Sequence, residues 1–246
     1  MKIDVYSTMH NEELMLPYFL RHYEKVADRI FVWEDGSTDD TRKILEAHPK
    51  VIIMPIERTK IDDHYWVRHV WPRYKRISRG KADWVIVVDA DEFVWYLSDL
   101  RGKLESMAAE KNGGQIVYTP GYMMMASEFP YTDGQIYDAV TTGIYDPLQS
   151  KRIIFSPDIY LRWKAGRHWV HKISPGVKTR VVRGLKLLHY KYLGDGYFMA
   201  RCRRNMERMS ETNIKHKWHY SNDLTLKKPH TLHWYREKIK SSYKVI

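Results

Sequence analysis

Trp84-Val85-Ile86-Val87-Val88-Asp89-Ala90-Asp91-Glu92-Phe93 decides the fold. Its first five residues are apolar or β-branched, with no polar break, and three carboxylates follow. Such a run reads as a strand buried on both faces, as in a parallel α/β sheet. Open α/β sheets bind ligands outside the carboxyl ends of their strands. Asp89 and Asp91 stand at that end, and strand alternation puts them on one side. Two hard carboxylates together suit Mg²⁺ or Mn²⁺, which in turn could hold a diphosphate. Asp-x-Asp by itself is also an ordinary solvated turn, so the flanking chain has to decide.

Upstream, Ile3 and Val5 begin a first strand that ends at Ser7-Thr8, followed by a polar turn, Met9-His10-Asn11-Glu12-Glu13. Leu16, Leu20, Tyr23 and Val26 recur at helical spacing, with Pro17 tolerable in the first turn. Ile30 to Trp33 is a second strand ending in Glu34-Asp35-Gly36-Ser37-Thr38-Asp39-Asp40-Thr41, a tight turn and helix start. A helix to about His48 leads to strand Val51 to Met54. The pattern is β-α-β-α-β with right-handed crossovers. A basic helical stretch, roughly 62 to 79, precedes the Trp84 strand.

Downstream, 98 to about 111 reads as helix and 115 to 118 as strand. Residues 121 to 150 show little periodicity and read as an acceptor-facing or lid region. Strands are expected over 151–155, 159–163 and 181–188. Gly194-Asp195-Gly196 opens a helix carrying Arg201, Arg203, Arg204 and Arg208, whose bland reading is a solvated face. The last thirty or so residues are basic and aromatic and read as a surface tail or partner contact.

The 246 residues carry a formal charge of +11, 43% hydrophobic residues and 13% aromatics. Disorder is excluded and an anionic partner is favoured: a nucleotide diphosphate, a nucleic acid or an acidic membrane surface. The single cysteine, Cys202, excludes a disulfide framework and a Cys-built zinc site. With no apolar h-region after Met1, no signal peptide is expected, and cytoplasmic residence with at most peripheral membrane contact is. No nucleic-acid-binding motif accompanies the arginine run, so nucleic acid is not expected as a partner. Anionic lipid at that basic C-terminal region remains open.

Three strand ends, Thr8 to Glu12, Asp35 and Asp89/Asp91, meet on one edge of a parallel sheet. There Asp35 could accept a base N–H such as the uracil imide, Asp89 could accept ribose hydroxyls, and Asp91 could bind the metal. Asp35 could equally be a capping-turn acid. His168 and His171, three apart on a strand, point to opposite faces, so a shared metal is not expected. His168 alone is the candidate for lining an acceptor pocket.

His10-Asn11-Glu12, Leu16-Pro17-Tyr18-Phe19-Leu20, Glu34 to Thr41 and Val88-Asp89-Ala90-Asp91-Glu92-Phe93 occur in this order. The set resembles glycosyltransferase family 2 and its relatives with the GT-A fold, closest to the branch reading Asp-x-Asp-Glu-Phe. The likeness continues through Lys151, Gly166-x-His168 and Leu188-His189-Tyr190-Lys191. It implies a GT-A type, Rossmann-like, mostly parallel sheet flanked by helices. Residues 1–196 would form the transferase domain, with a nucleotide-binding half to about 95 and an acceptor-binding half over 96–196. Residues 197–246 would be a basic helical extension.

The resemblance further implies that Thr8, His10, Asn11, Glu12, Asp35, Asp89 and Lys191 bind the nucleotide-sugar, with Lys191 neutralising diphosphate charge. Asp91 and His189 would hold Mn²⁺ or Mg²⁺. The donor would be a UDP-sugar, the acceptor a glycan or lipid-linked hydroxyl, and the transfer inverting. The downstream Glu-Asp pair that supplies the base in many relatives is absent here. Asp133 and Asp138 are the preferred bases, ahead of Glu128 and Asp158. Two other classes stay open. One is a sugar-phosphate nucleotidyltransferase, which the glycine-free Ser7 to Glu12 disfavours. The other is a non-catalytic basic binding module.

Overall fold

A computed structural model of the chain describes residues 1–56, 60–110 and 115–246, excluding the side chains of 171–173 and 220. The strands are β1 (Ile3–Met9), β2 (Arg29–Glu34), β3 (Val51–Met54), β4 (Trp84–Val87), β5 (Glu92–Trp95), β6 (Ile116–Thr119) and β7 (Gly121–Ala126). Then follow β8 (Thr142–Tyr145), β9 (Lys151–Phe155), β10 (Leu161–Trp163), β11 (Val170–Ile173), β12 (Thr179–Val181), β13 (Lys186–Leu193) and β14 (Tyr243–Lys244).

Among the described residues, seven strands make one sheet in the order β12-β6-β9-β4-β1-β2-β3. Every neighbouring pair is parallel except those made by β9. This is a mixed α/β fold with a mostly parallel sheet. The reason is visible in β4, whose residues alternate between two separate cores. Trp84, Ile86 and Val88 pack with Leu16, Phe19 and Leu20 of the helix Leu16–Tyr23. Val85 and Val87 pack with Tyr6, Trp33, Trp71 and Tyr74 on the opposite face. A strand covered on both sides has no polar face to show, hence its unbroken apolar run.

The expected helices lie at Leu16–Tyr23, Thr41–Glu46, Leu100–Ala109 and Asp195–Glu207, and Lys111, at the expected end of the third, lies outside the described residues. The stretch from Asp63 to Ile77 is helical but irregular: a π turn at Trp66–Val70, then a 3₁₀ turn at Trp71–Arg73. Pro72 supplies the cause, because it has no N–H for a regular i−4 bond.

Four expectations are corrected. The chain turns within Asp89–Glu92, where Glu92 N donates to Asp89 O at 3.0 Å, so the acids do not alternate along a strand. Residues 121 to 150 hold β7 and β8 of a second sheet, ordered β14-β8-β7-β13-β5. Met123, Met124 and Met125 are all buried, so β7 shows no alternation to read. The single strand expected over 181–188 is two, β12 in the first sheet and β13 in the second, divided by a turn with Gly184 at φ 83°. The tail is not confined to the surface. Leu232 and Tyr235 are buried with Met125, Tyr192 and Phe198, and β14 pairs with β8.

Candidate functional site

The carboxyl ends of β1, β2 and β4 open into a cavity of about 560 Å³, closed on the far side by β13, the helix Asp195–Glu207 and the segment around Trp218. β1 presents Thr8, and the following turn presents His10 and Glu12. Asn11 does not line the cavity. Its side chain is used in the neighbouring loop: Oδ1 accepts from Thr38 N at 2.7 Å and Nδ2 donates to Thr38 Oγ1 at 3.0 Å. These contacts hold the Asn11 side chain in that loop, with its backbone at φ 52°, which asparagine tolerates.

Asp35 directly follows β2 and is 2% exposed. Its carboxylate takes the Arg208 guanidinium, while Oδ1 is buried without a hydrogen-bond partner among the described residues. Burial pushes its carboxyl up to about 6 against the opposing pull of Arg208. His10 Nδ1 stands 2.8 Å from the Asp35 carbonyl oxygen, and burial together with Arg208 lowers the imidazole's basicity.

The turn after β4 sends its two acids different ways. Asp89 meets Arg167 at 2.7 Å and Lys151 at 3.8 Å. Burial raises its pKa, but these two cations outweigh burial and hold it well below the usual carboxylate range. Glu92, fully buried, binds the same Lys151 and, at 3.5 Å, the same Arg167. Asp91 is also fully buried and meets Arg201 at 2.5 Å and His189 Nε2 at 2.9 Å. Here too the burial penalty is overcome, by Arg201 and then His189, and the group lies well below its ordinary value. Asp91 Oδ1 and His189 Nδ1 are buried with no hydrogen-bond partner among the described residues.

β13 brings His189 and Lys191 to the cavity, and its register against β7 shifts between His189 and Tyr192. Such an irregularity re-aims side chains next to a site. Lys191 Nζ donates to Ser221 Oγ at 2.9 Å, and burial lowers its pKa to about 8. His168 lines the cavity as expected, and burial, with Lys151 and Arg167 close, drops its pKa to about 2, so the ring is neutral. The side chain of His171 lies outside the described residues.

The arginines of the helix Asp195–Glu207 and its end are not a solvated face. Arg201, Arg204 and Arg208 recur at three- and four-residue spacing, so they share one side. They reach Asp91, Glu12 (3.1 Å) and Asp35 respectively. Arg203, off that side, is exposed.

The expected bases are elsewhere. Asp133, Asp138, Glu128 and Asp158 are absent from the cavity wall. Asp138 Oδ2 accepts from Gln135 N at 3.2 Å in a capping box, which occupies the carboxylate, and Asp133 is solvent-exposed. Acids and imidazoles not anticipated do line the cavity, Asp63, His219 and His230 among them. Among the described residues no group of three or more His, Cys, Asp or Glu converges on a metal position, and Asp91 with His189 is one of several carboxylate–imidazole pairs at 2.6–3.3 Å.

Residues 7–228 match the family Glycosyltransferase family 92. The chain belongs to glycosyltransferase family 92. The motifs had suggested family 2 and its relatives, and family 92 is the family matched. Uncharacterised proteins of Mycobacterium bovis and Mycobacterium tuberculosis are each 32% identical over 108 residues, 42% of this chain. The chain spans about a quarter of the length of these curated relatives, 26%. Among solved structures, a 4-diphosphocytidyl-2C-methyl-D-erythritol synthase is 15% identical, with a TM-score of 0.38, over 63% of this chain and 75% of that one. A putative glucose-1-phosphate thymidylyltransferase from Bacillus anthracis is 10% identical, with a TM-score of 0.34, over 63% and 71%.

Proposed function

We propose that this family 92 chain transfers a sugar from a UDP-linked donor to a glycan or lipid-linked hydroxyl, with Mn²⁺ or Mg²⁺ at Asp91 and His189 and inversion at the anomeric carbon. One observation carries the reading. Acids at three strand ends share a cavity with Lys151, Arg167, Lys191, Arg201 and Arg208, a lining suited to a nucleoside diphosphate. Asp35, with its unpartnered Oδ1, accepts a base N–H. Thr8, His10 and Glu12 flank that position, and Asp89 accepts from ribose.

The donor set fits the ion. Carboxylate oxygen and imidazole nitrogen are both suitable ligands, and Mg²⁺ and Mn²⁺ commonly keep few protein ligands and fill the rest with phosphate oxygens. Asp91 Oδ2 and His189 Nε2 are hydrogen-bonded at 2.9 Å, while Asp91 Oδ1 and His189 Nδ1 are buried with no hydrogen-bond partner among the described residues, so these two residues would be the ones to hold the ion. When bound, the ion supplies Lewis-acid stabilisation of the leaving diphosphate. Lys191 and Arg201 add positive charge to the cavity wall, where His168 would meet the acceptor.

Among the described residues no helix is long and apolar enough to cross a membrane. The test is a thermal-shift panel of nucleotide-sugars with and without Mn²⁺, followed by nucleotide release from those that bind. A ligand selective for the folded state at 100 times its Kd adds about 2.7 kcal/mol of apparent stability. A UDP-sugar that stabilises the protein only with Mn²⁺ supports the reading. A protein unmoved by every nucleotide-sugar overturns it.

A further inference from the structure

The transfer needs a group to take the acceptor proton, and the cavity acids are poorly placed to do so. Glu12, Asp35, Asp89 and Asp91 each carry an arginine partner: Arg204, Arg208, Arg167 and Arg201. An adjacent guanidinium favours the ionised carboxylate and so weakens it as a proton acceptor. Asp63 and His219 are arranged differently. His219 Nε2 lies 2.6 Å from Asp63 Oδ2, and both residues line the cavity. Asp63 is itself fixed by Asn213 Nδ2, donating at 2.8 Å, and by Gly166 N, donating at 3.0 Å. Its side chain is 12% exposed and that of His219 36%, so the carboxylate is the buried member and the ring the accessible one.

We propose that His219 is the general base of the transfer, with Asp63 the positioning residue that fixes its tautomer. This rests on the glycosyl-transfer reading above. A buried carboxylate accepting from Nε2–H leaves the lone pair on Nδ1, and Nδ1 has no partner among the described residues. The acceptor O–H gives its proton to Nδ1 as its oxygen bonds to the anomeric carbon. The bond from that carbon to the diphosphate oxygen breaks, and the nucleoside diphosphate leaves with the electron pair. His219 then returns the proton to solvent. Charge on the imidazolium is offset by Asp63.

A further observation supports the assignment. The dyad is also tied to the donor side from both ends. Gly166, on Asp63, adjoins Arg167, on Asp89; Ser221, two residues beyond His219, accepts from Lys191. His230 with Asp146 is a further imidazole–carboxylate pair in contact with the cavity, besides His189 with Asp91. Its separation is 3.3 Å, and burial, with Lys191 and His189 near, lowers its basicity despite Asp146.

The test uses the full chain, Mn²⁺ and whichever UDP-sugar the wild type turns over, with nucleotide release as readout. His219→Gln should lower kcat about 10²–10⁴-fold while UDP affinity stays within about twofold. Added imidazole should restore release about tenfold or more in His219→Gly and not in His230→Gly. Independently of any substrate, ¹⁵N spectra of the histidine rings at pH 8 should show the Nε2–H tautomer for His219, lost to a mixture in Asp63→Asn. His219→Gln within threefold of wild type, imidazole rescue at position 230 instead, or an Nδ1–H tautomer overturns the base assignment alone. A wild type that releases nucleotide from no donor overturns the transfer reading, and the base with it.

Discussion

His189 Nε2 and Asp91 Oδ2 stand 2.9 Å apart, although 98 residues separate them along the chain. One closes the turn after a strand of the parallel sheet, and the other lies on β13 of the second sheet. Their meeting ties the two sheets together at the cavity. If the imidazole serves an ion there, His189→Ala should raise the Mn²⁺ concentration for half-maximal UDP binding at least about tenfold, in line with the loss of one ligand of two. UDP affinity in EDTA should not change. Superimposable Mn²⁺ titrations of wild type and variant would leave His189 as a packing residue.

Asp35 makes a prediction about pH. Burial raises its folded carboxyl to about 6, against an unfolded value of about 3.9. Between these values the folded state binds more protons than the unfolded one. Stability from this group is therefore fully present below about pH 4 and is lost as pH rises through about 6. Urea unfolding from pH 4 to 7 should show this decline in wild type and not in Asp35→Asn, which carries no charge at any pH. Parallel curves for the two proteins would contradict the shift.

The same residue should matter to the nucleotide. Asp35→Ala should weaken UDP binding by about 1.5–3 kcal/mol, the range for a hydrogen bond to a charged group, with the folded core intact. Calorimetry decides. Unchanged affinity would remove Asp35 from the base site.

The C-terminal region should behave as part of the core. Tyr235 packs against Tyr192 at 5.3 Å and Phe198 at 6.0 Å between ring centroids, and its hydroxyl donates to Ala126 O at 2.5 Å. Tyr235→Ala should cost about 3–5 kcal/mol in urea unfolding, and Tyr235→Phe about 1 kcal/mol. A cost below about 0.5 kcal/mol for the alanine variant would mean that this region is not part of the cooperative core.

What could be read from residues alone follows a physical divide. The Trp84 run, the Ile30 to Trp33 strand and the capped turn at Glu34 to Thr41 are local signals, and their strand ends do converge on the cavity. β7 was unreadable because Met123, Met124 and Met125 are buried on both faces of a strand without β-branched residues. Asp63 and His219 carry no local signature, being 156 residues apart and joined only by tertiary structure. Arg201, Arg204 and Arg208 did show helical spacing, but spacing does not say whether a charged face meets solvent or three buried acids. Asp133 and Asp138 looked favourable because their loop was expected to face the acceptor, whereas Asp138 is taken up in capping its own helix.

Asp91 bears most of the proposed function. It is fully buried, paired with Arg201 and His189, and retains one oxygen without a hydrogen-bond partner. Donor and ion bound at one carboxylate must strengthen each other's binding. The direct measurement is UDP affinity by calorimetry in Mn²⁺ and in EDTA, for wild type and for Asp91→Asn, with folding of both verified by circular dichroism. Wild type should bind UDP at least about tenfold more tightly in Mn²⁺ than in EDTA, a coupling of about 1.4 kcal/mol, and folded Asp91→Asn should show no such difference. Equal affinity of the wild type in Mn²⁺ and EDTA, with sugar transfer undiminished in Asp91→Asn, would contradict the metal-dependent account.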